Sequence, residues 1–551
     1  LLFLSILNES FAFYFRICRV NRSKSYFVNN KPVNQMAFNR ADQLNKLNDS
    51  FDLCIIGGGA SGAGVALDAT LRGYRVLLIE KGDFASQTSS KSTKLVHGGV
   101  RYLEQAVKKL DWQQFKMVYK ALHERRILLQ NAPFLAHPLA LLTPCYSWFD
   151  RIYYRIGMWM YDRIAGHTNL EPSRGLGPQQ MRELTPAISL NHVRGGVLYY
   201  DGQLNDARYA LAILQSAESA GACVLNYAEL TQFVHSPKSL KIKEVCFRDL
   251  ISGETHQMPV KAVVNATGPF TDAIRTLANP KLRPRMKVSR GAHIVLPATF
   301  WPGKTALLIP KTDDGRVIFV IPWRDHVLVG TTDEPDELRE DPPILSEEID
   351  YLLDYFNRYA TGKASRADVS ATFVGQRPLL QVALEQALSS DTKSLVRDHE
   401  VEVDGRSKLV SIMGGKWTTY RVMALDTMDV LEREVFHQVP KPCLTADFRL
   451  SGGDESLRPA FEQLAEKWKL AKDIQTHLWE TYGSNAIQLL AKEPKRIHPD
   501  LPYLESEIDY LKNHEMAISW DDVLMRRWGI GLRNQEVSES IKAIKKEAFA
   551  S

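Results

Sequence analysis

The chain has 551 residues, 44% hydrophobic and 24% charged, a composition that suits a folded protein of two or three domains with a large core. Its 69 basic and 64 acidic residues leave a net charge of only +5, which argues against nucleic acid and leaves room for a local basic pocket for an anion. The six cysteines are scattered without a CxxC pair, and no long uninterrupted apolar run occurs. Disulfides, a cysteine metal site and a membrane-spanning helix are therefore not expected.

Residues 1–48 read as an N-terminal extension. An apolar start is followed by Arg16, Arg19, Arg22, Lys24 and Lys31 against one acid, Glu9. That is the pattern of a cleavable targeting segment. Met36 offers an alternative start, and the expectation is that the stretch before it is no part of the mature protein.

The organising stretch is Phe51–Glu80. Phe51-Asp-Leu-Cys-Ile-Ile56 reads as a buried parallel strand, Ala63–Arg72 as a helix rich in small residues, and Arg75–Ile79 as a second strand. Between the first strand and the helix lies Gly57-Gly-Gly-Ala-Ser-Gly62. In such a βαβ unit Gly57 permits the tight turn, Gly59 lets the backbone approach a pyrophosphate, and Gly62 allows close helix–strand packing. The helix N-terminus faces the phosphates, and Glu80 falls where an acid can accept ribose hydroxyls.

A loop rich in Ser and Thr follows, including Thr88 and Ser89, and leads into Lys94-Leu-Val-His-Gly-Gly-Val-Arg-Tyr-Leu-Glu104. Leu110–Ala132 reads as an amphipathic helix ended by Pro133. Between Cys145 and Ile164, Trp148, Phe149, Tyr153, Tyr154, Trp159 and Tyr161 alternate with Arg151, Arg155 and Arg163. Such a helix suits either a bilayer interface or packing on the core with arginines at its rim. Further on, the strand ending Val263-Val-Asn-Ala266-Thr-Gly268 reads as the return of a discontinuous nucleotide-binding domain. Runs at 292–297, 316–323 and 326–333 suggest an antiparallel substrate sheet. Leu409–Tyr420 contains a second glycine turn, Gly414-Gly415-Lys416, before a helix. From about Thr445 the chain is charged and helical.

On Gly57–Gly62, Ser89–Glu104, Asn265–Pro269, His293, Gly330–Asp333, Gly375–Leu379 and Gly414–Tyr420, the chain resembles the FAD-dependent glycerol-3-phosphate dehydrogenases from about Asp49 to about Val537. The resemblance implies an α/β fold: a discontinuous FAD-binding Rossmann-like domain, an antiparallel-sheet substrate domain and a C-terminal helical cap. The oxidoreductase region is expected at 49–444, with FAD-binding parts at about 49–135, 200–275 and 395–444, and the cap at 445–551. Also implied are noncovalent FAD, oxidation of glycerol 3-phosphate to dihydroxyacetone phosphate, and electrons passed to a membrane quinone. A peripheral membrane position follows, on a bacterial inner membrane or, alternatively, the mitochondrial one, and a homodimer is compatible. No EF-hand loop occurs in the sequence, and neither calcium control nor a metal site is expected.

Hydride removal from a secondary alcohol needs an oxidant, a base and a phosphate anchor. His293 is the candidate base, or else a phosphate ligand, with His97 as runner-up. Arg101, Arg377, Arg397 and Lys416 are the candidate cations, Arg377 being taken as catalytic beside His293, with Tyr102 and Thr331 as neutral donors. Cofactor contacts are expected from Gly57, Gly59, Gly62, Glu80, Thr88, Ser89, Lys94, Gly98, Ala266, Gly268, Gly414, Gly415 and Thr418. The rival readings are an amine or amino-acid oxidase, a glycerol-3-phosphate oxidase that reduces oxygen, and a noncatalytic flavoprotein.

Overall fold

The strand Phe51–Ile56 is buried along nearly its whole length, as a run with apolar side chains on both faces requires. It lies parallel to Val76–Ile79 on one side and to the end of Thr255–Asn265 on the other. The computed structural model describes residues 38–100, 103–104, 111–381 and 399–549. Contacts divide the chain into Leu1–Met36 and Ala37–Ser551, and the described residues all belong to the second unit.

Among the described residues the first sheet has eight strands. Its order runs His399–Val403, Val410–Gly414, Thr255–Asn265, Phe51–Ile56, Val76–Ile79 and Cys223–Leu225, with an antiparallel ribbon, Ala228–His235 and Ile242–Asp249, on the near half of Thr255–Asn265. The pairs at its centre are parallel. Strands from three distant parts of the chain thus end side by side, and that edge of the sheet is where ligands bind in open α/β folds. The helix Ala60–Leu71 packs on this sheet between the helices Asp206–Ser219 and Tyr420–Glu434.

The second sheet has ten strands among the described residues and is antiparallel apart from the join of Ala306–Ile309 to Ala136–Cys145. Its long strand Met286–Pro297 is paired with Ala371–Leu380 on one side and, from His293 onward, with His326–Gly330 on the other. The expected strands near 292, 318 and 326 are all here. Two ten-residue strands, Ala136–Cys145 and Gly195–Leu204, were not anticipated. Pro138 and Pro144 in the first and paired glycines in the second break the alternation that marks a strand, and mutual pairing from Ala136↔Leu204 to Cys145↔Gly195 overrides it.

The helices after Thr445 share one apolar core with the helices of the first sheet, through Leu128, Tyr209, Leu478, Trp479 and Tyr482. Arg208 reinforces that junction with a two-pronged ion pair to Glu515, at 2.5 and 2.8 Å, in a fully buried setting. The helix Trp148–Ala165 packs on the core along one face, as one of the two readings of its sequence expects. Met158, Tyr161, Ile164 and Ala165 are buried against the second sheet, while its other face stays open.

Candidate active site

The turn after the first strand explains its glycines one by one. Gly57 has φ +110°, and a Cβ there would come 2.6 Å from the carbonyl oxygen of Ala266 on the neighbouring strand end. A Cβ on Gly62 would sit 1.9 Å from the Gly57 carbonyl oxygen, so the helix can enter this close only without a side chain. Gly59 precedes the first turn of the helix Ala60–Leu71, whose Ala60 amide donates to Ser89 Oγ at 3.0 Å. The half-buried Glu80 carboxylate accepts the amides of Gly58 at 2.7 Å and Gly82 at 2.9 Å. Burial outweighs those two hydrogen bonds and raises its pKa above the usual value.

These walls enclose a cleft of about 630 Å³, within the range of cofactor sites. Gly57, Gly59, Glu80, Thr88, Ser89, Ala266, Gly268, Gly414, Gly415 and Lys416 all line it. Asn265 shapes the Ala266–Gly268 turn, its side-chain oxygen accepting from the Thr267 hydroxyl at 2.7 Å and its amide donating to the Thr271 carbonyl at 3.0 Å. Trp417, not foreseen from the sequence, fastens the second glycine turn to the Ser/Thr loop by donating from Nε1 to the Ser89 carbonyl at 2.9 Å. The cradle of backbone at Gly57 and Gly59, a helix N-terminus, and an acid at the second strand's end fit a dinucleotide.

Four expected cofactor residues stand off the cleft wall. Gly62 acts through packing, as its position in the motif requires. Thr418 is buried and accepts the His97 amide at 3.3 Å. Gly98 donates its amide to the Tyr161 hydroxyl at 2.7 Å, and a Cβ there would overlap Leu122. The buried Lys94 ammonium pairs with Asp206 at 2.6 Å, because a cation out of water needs a counter-charge. Arg101, Tyr102 and Arg397 lie outside the described residues.

A second cluster sits on the antiparallel sheet. His293 is buried on the long strand Met286–Pro297, with its ring stacked on Phe373 at 4.7 Å. Its register partner Gly330 leaves room for the ring, since a Cβ there would come 2.2 Å from His293 Cδ2. His293 Nε2 lies 3.0 Å from Thr93 Oγ1. Burial, and then the positive charges of Arg377 and Lys94, push the imidazole well below its ordinary pKa, with the Gly291 backbone opposing weakly. It is therefore neutral at pH 7. Arg377 reaches across Gly291 and donates to Thr331 Oγ1 at 3.1 Å, to the carbonyls of Arg290 and Thr332 at 3.1 and 3.0 Å, and to Asp333 Oδ1 at 3.1 Å. Lys416 stands at the cleft, its ammonium 3.7 Å from Met117 Sδ.

One loop joins the two clusters. Thr88, on the cleft wall, donates from Oγ1 to the carbonyl of Gln376 at 2.7 Å, next to Arg377. Five residues later Thr93 meets His293. Ser92, between them, is tied to Asp206 through its hydroxyl at 2.7 Å and its amide at 3.2 Å. Thr93, Asp206 and Asp333 were missed as site residues. Thr93 and Asp333 did lie inside motifs already singled out, the Ser/Thr loop and Gly330–Asp333.

Residues 52–420 match the family model described as FAD dependent oxidoreductase, and residues 443–548 match the C-terminal domain of alpha-glycerophosphate oxidase. The chain is 39% identical over 513 residues to the mitochondrial glycerol-3-phosphate dehydrogenase SDP6 of Arabidopsis thaliana, covering 89% of this chain and 81% of the relative. It is 37% identical to the mitochondrial glycerol-3-phosphate dehydrogenase of Homo sapiens, over 92% of this chain and 72% of the relative. The chain belongs to the FAD-dependent glycerol-3-phosphate dehydrogenase family. Within the family, the solved glycerol-3-phosphate dehydrogenase of Bacillus halodurans, complexed with FAD, superposes with a TM-score of 0.73 at 29% identity, over 93% of this chain and 94% of that one. An FAD-bound L-alpha-glycerophosphate oxidase from Mycoplasma pneumoniae, at 16% identity and a TM-score of 0.54, shares the fold. Membership makes FAD the dinucleotide that the glycine cradle and Glu80 suit.

Proposed function

We propose that the protein oxidises glycerol 3-phosphate to dihydroxyacetone phosphate and passes the electrons to a membrane quinone. The observation that carries this reading is the loop 88–94, which links the dinucleotide cleft to a buried neutral imidazole beside a guanidinium. FAD, when bound, supplies the two-electron acceptor. Gly57, Gly59, Glu80, Thr88, Ser89, Ala266 and Gly414–Lys416 hold it, and Trp417 keeps the Ser89 and Gly415 sides of the cleft together.

His293 takes the proton of the substrate hydroxyl at Nε2, through the Thr93 hydroxyl that now faces that atom. A neutral imidazole suits the role of base better than that of phosphate cation, because it offers no charge to the anion at pH 7. Arg377 contributes positive potential and fixes the Thr331–Asp333 loop. Its terminal N–H groups already meet protein acceptors, so a direct phosphate contact requires exchange of one of them. Lys416, on the cleft wall, is a second cation for the incoming phosphate.

The decisive experiment is an anaerobic titration of the yellow protein with glycerol 3-phosphate and, separately, lactate. Bleaching of the flavin band by glycerol 3-phosphate alone is expected, and bleaching by lactate or by neither overturns the assignment. In air, reduction of a quinone dye without hydrogen peroxide separates the dehydrogenase from an oxygen-using oxidase.

A quinone acceptor requires contact with a bilayer, and no described helix is long and apolar enough to cross one. We assign that contact to the open face of Trp148–Ala165, where Trp148, Phe149, Ile152 and Ile156 are 65%, 75%, 60% and 54% exposed. At about 100° per residue they fall, with Trp159 and Arg163, within roughly a third of the helix circumference. Arg151 and Arg163 lie 5.3 Å over the Trp148 and Trp159 rings, an arrangement matched to anionic headgroups above an apolar layer. The mitochondrial relatives favour the mitochondrial inner membrane as that bilayer. Cosedimentation with phosphatidylcholine vesicles containing phosphatidylglycerol should be lost in a Trp148→Ser, Phe149→Ser, Ile152→Ser variant. Undiminished binding rejects the assignment, and a shift in sedimentation from dimer to monomer gives the face to a second copy instead.

A further inference from the structure

The Glu80 end of the cleft, which the FAD reading gives to the adenosine, is built from two short segments that follow strands of the first sheet. One is Glu80–Asp83, and the other is Asn226–Leu230; the Tyr227 and Ala228 amides donate to the carbonyls of Gly82 and Glu80 at 2.9 and 2.8 Å. Glu80, Gly82, Tyr227 and Leu230 line the cleft. Of the two segments, Asn226–Leu230 is held in part by its own sheet, through Ala228 and Leu230 paired with Ile242–Asp249, and Arg40 donates to Asn226 Oδ1 at 2.9 Å. Both are gripped by the C-terminal helical region, by residues that do not themselves line the cleft.

The grip is dense. Asp83 is buried and accepts from Arg527 Nη2 at 2.9 Å, from Arg527 Nη1 and Arg526 Nε at shorter range, and from Asn226 Nδ2 at 3.2 Å. Asn226 also donates to the Met516 carbonyl at 3.0 Å. The Tyr227 hydroxyl donates to Asp522 Oδ1 at 2.6 Å, and Arg526 Nη2 donates to the same oxygen at 2.8 Å. Asp522 and the two arginines belong to one wide helical turn, Asp522–Arg527, a π-type geometry that sequence periodicity does not announce and that often marks functional positions. Burial alone would raise the Asp83 pKa, but Arg527 and Arg526 outweigh it and hold the carboxyl below the usual range. The group is thus an anion clamped between two cations.

We propose that the turn Asp522–Arg527 is a latch for the cofactor: the C-terminal region governs retention of FAD by fixing Asp83 and Tyr227 at the adenosine end of the cleft. Arg526, Arg527 and Asp522 are positioning residues acting through those two wall segments. This assigns the C-terminal region a task at a site whose walls belong entirely to the oxidoreductase region. It rests on the FAD reading of the cleft, and the two fail differently. Purified protein without flavin absorbance refutes that reading, whereas flavin-loaded protein with an unaltered release rate in the variants refutes only the latch.

The test uses the full-length holoenzyme and follows the rise of flavin fluorescence on dilution, well below each variant's melting temperature. Arg526→Gln removes one arm while Arg527 still pairs with Asp83. Tyr227→Phe removes the hydroxyl's bond to Asp522 but leaves the ring. Phe461→Leu, in the C-terminal core against Trp479, loosens the region without touching the latch. Faster FAD release by on the order of tenfold is expected in both latch variants, as for loss of a hydrogen bond to a charged group, with near-normal release in Phe461→Leu. Unchanged release in Arg526→Gln and Tyr227→Phe overturns the proposal. So does equal acceleration in Phe461→Leu, which would reduce the effect to general stability. If Arg526→Gln does not fold, the comparison of Tyr227→Phe with Phe461→Leu decides alone.

Discussion

The two halves of the proposed active site are built on opposite principles. The cleft of the first sheet is made of backbone: glycine turns, amides and a helix end, with side chains such as Glu80 and Ser89 serving mainly to hold that backbone in place. The cluster at the second sheet is made of side chains, His293 and Arg377 on its strands with Thr93 and Asp333 from adjoining loops, where glycines at 291 and 330 only make room. Backbone sites tolerate few substitutions because shape is the function. Side-chain sites separate chemistry from folding, so a change there can stop turnover and leave the cofactor in place.

The sharpest way to break that contrast is at Gly62. A side chain there would collide with the Gly57 carbonyl at 1.9 Å, and Gly62→Val should destabilise the protein by ~3 kcal/mol or more. Loss of flavin absorbance after gel filtration is expected with it. Retained flavin would show that the helix can move back, and that the cleft is less strictly shaped than the backbone contacts require.

On the second sheet the expected result is the reverse. Arg377→Met removes the 3.1 Å ion pair to Asp333 and unfastens Thr331; removing one partner of a partly buried pair costs about 3–5 kcal/mol. With the pair about a quarter exposed at Arg377, solvent screening favours the lower end. A fall in kcat/KM of about 10² with flavin absorbance kept is the outcome to check by steady-state kinetics. His293→Asn should lower kcat by about 10², the lower end for a lost general base, again with flavin retained. Near-normal turnover would remove His293 from the chemistry.

The smallest effect sharpens the electrostatic side. Because burial, Arg377 and Lys94 depress the His293 pKa, the acid limb of kcat/KM should lie below pH 6.5. Lys94→Met should move that limb upward, since one repelling cation is gone. The stability contribution has the same origin and a fixed sign. The unfolded chain takes up a proton near pH 6.5 while folded His293 does not. Its contribution to stability is therefore fully present above about pH 6.5 and declines as pH falls toward the folded pKa. Melting temperatures of wild type and His293→Asn across this range should converge in slope only if His293 is not a source of acid loss. His477, buried and also depressed, contributes in the same direction and remains in both proteins.

Much of the first cluster was legible because its signals are local. Gly57, Gly59, Gly62 and Glu80 lie within one βαβ unit whose spacing is set by covalent geometry and hydrogen bonding over thirty residues. Gly414–Gly415 repeated the same strand–turn–helix pattern. The second cluster was legible only in part. His293 and Arg377 were singled out by their strands and by resemblance, but nothing local says that Thr93 lies against His293, 200 residues away. Lys94 stood in the right motif, yet its charge is engaged by Asp206 and not by the cleft. Asp83 and Tyr227 gave no sign of a tie to Arg526, Arg527 and Asp522, because a buried ion pair between distant segments leaves no periodicity.

The sequence by itself determined the cofactor fold, the glycine cradle and the identity of the charged and imidazole groups, since turns and strands are dictated by residues close together along the chain. Tertiary structure alone decided which distant side chains face one another: Thr93 with His293, Arg377 with Asp333, Asp83 with two arginines of the C-terminal region. Those pairings depend on sheet register and on burial of charge in a shared interior, and both exist only once the whole chain has folded.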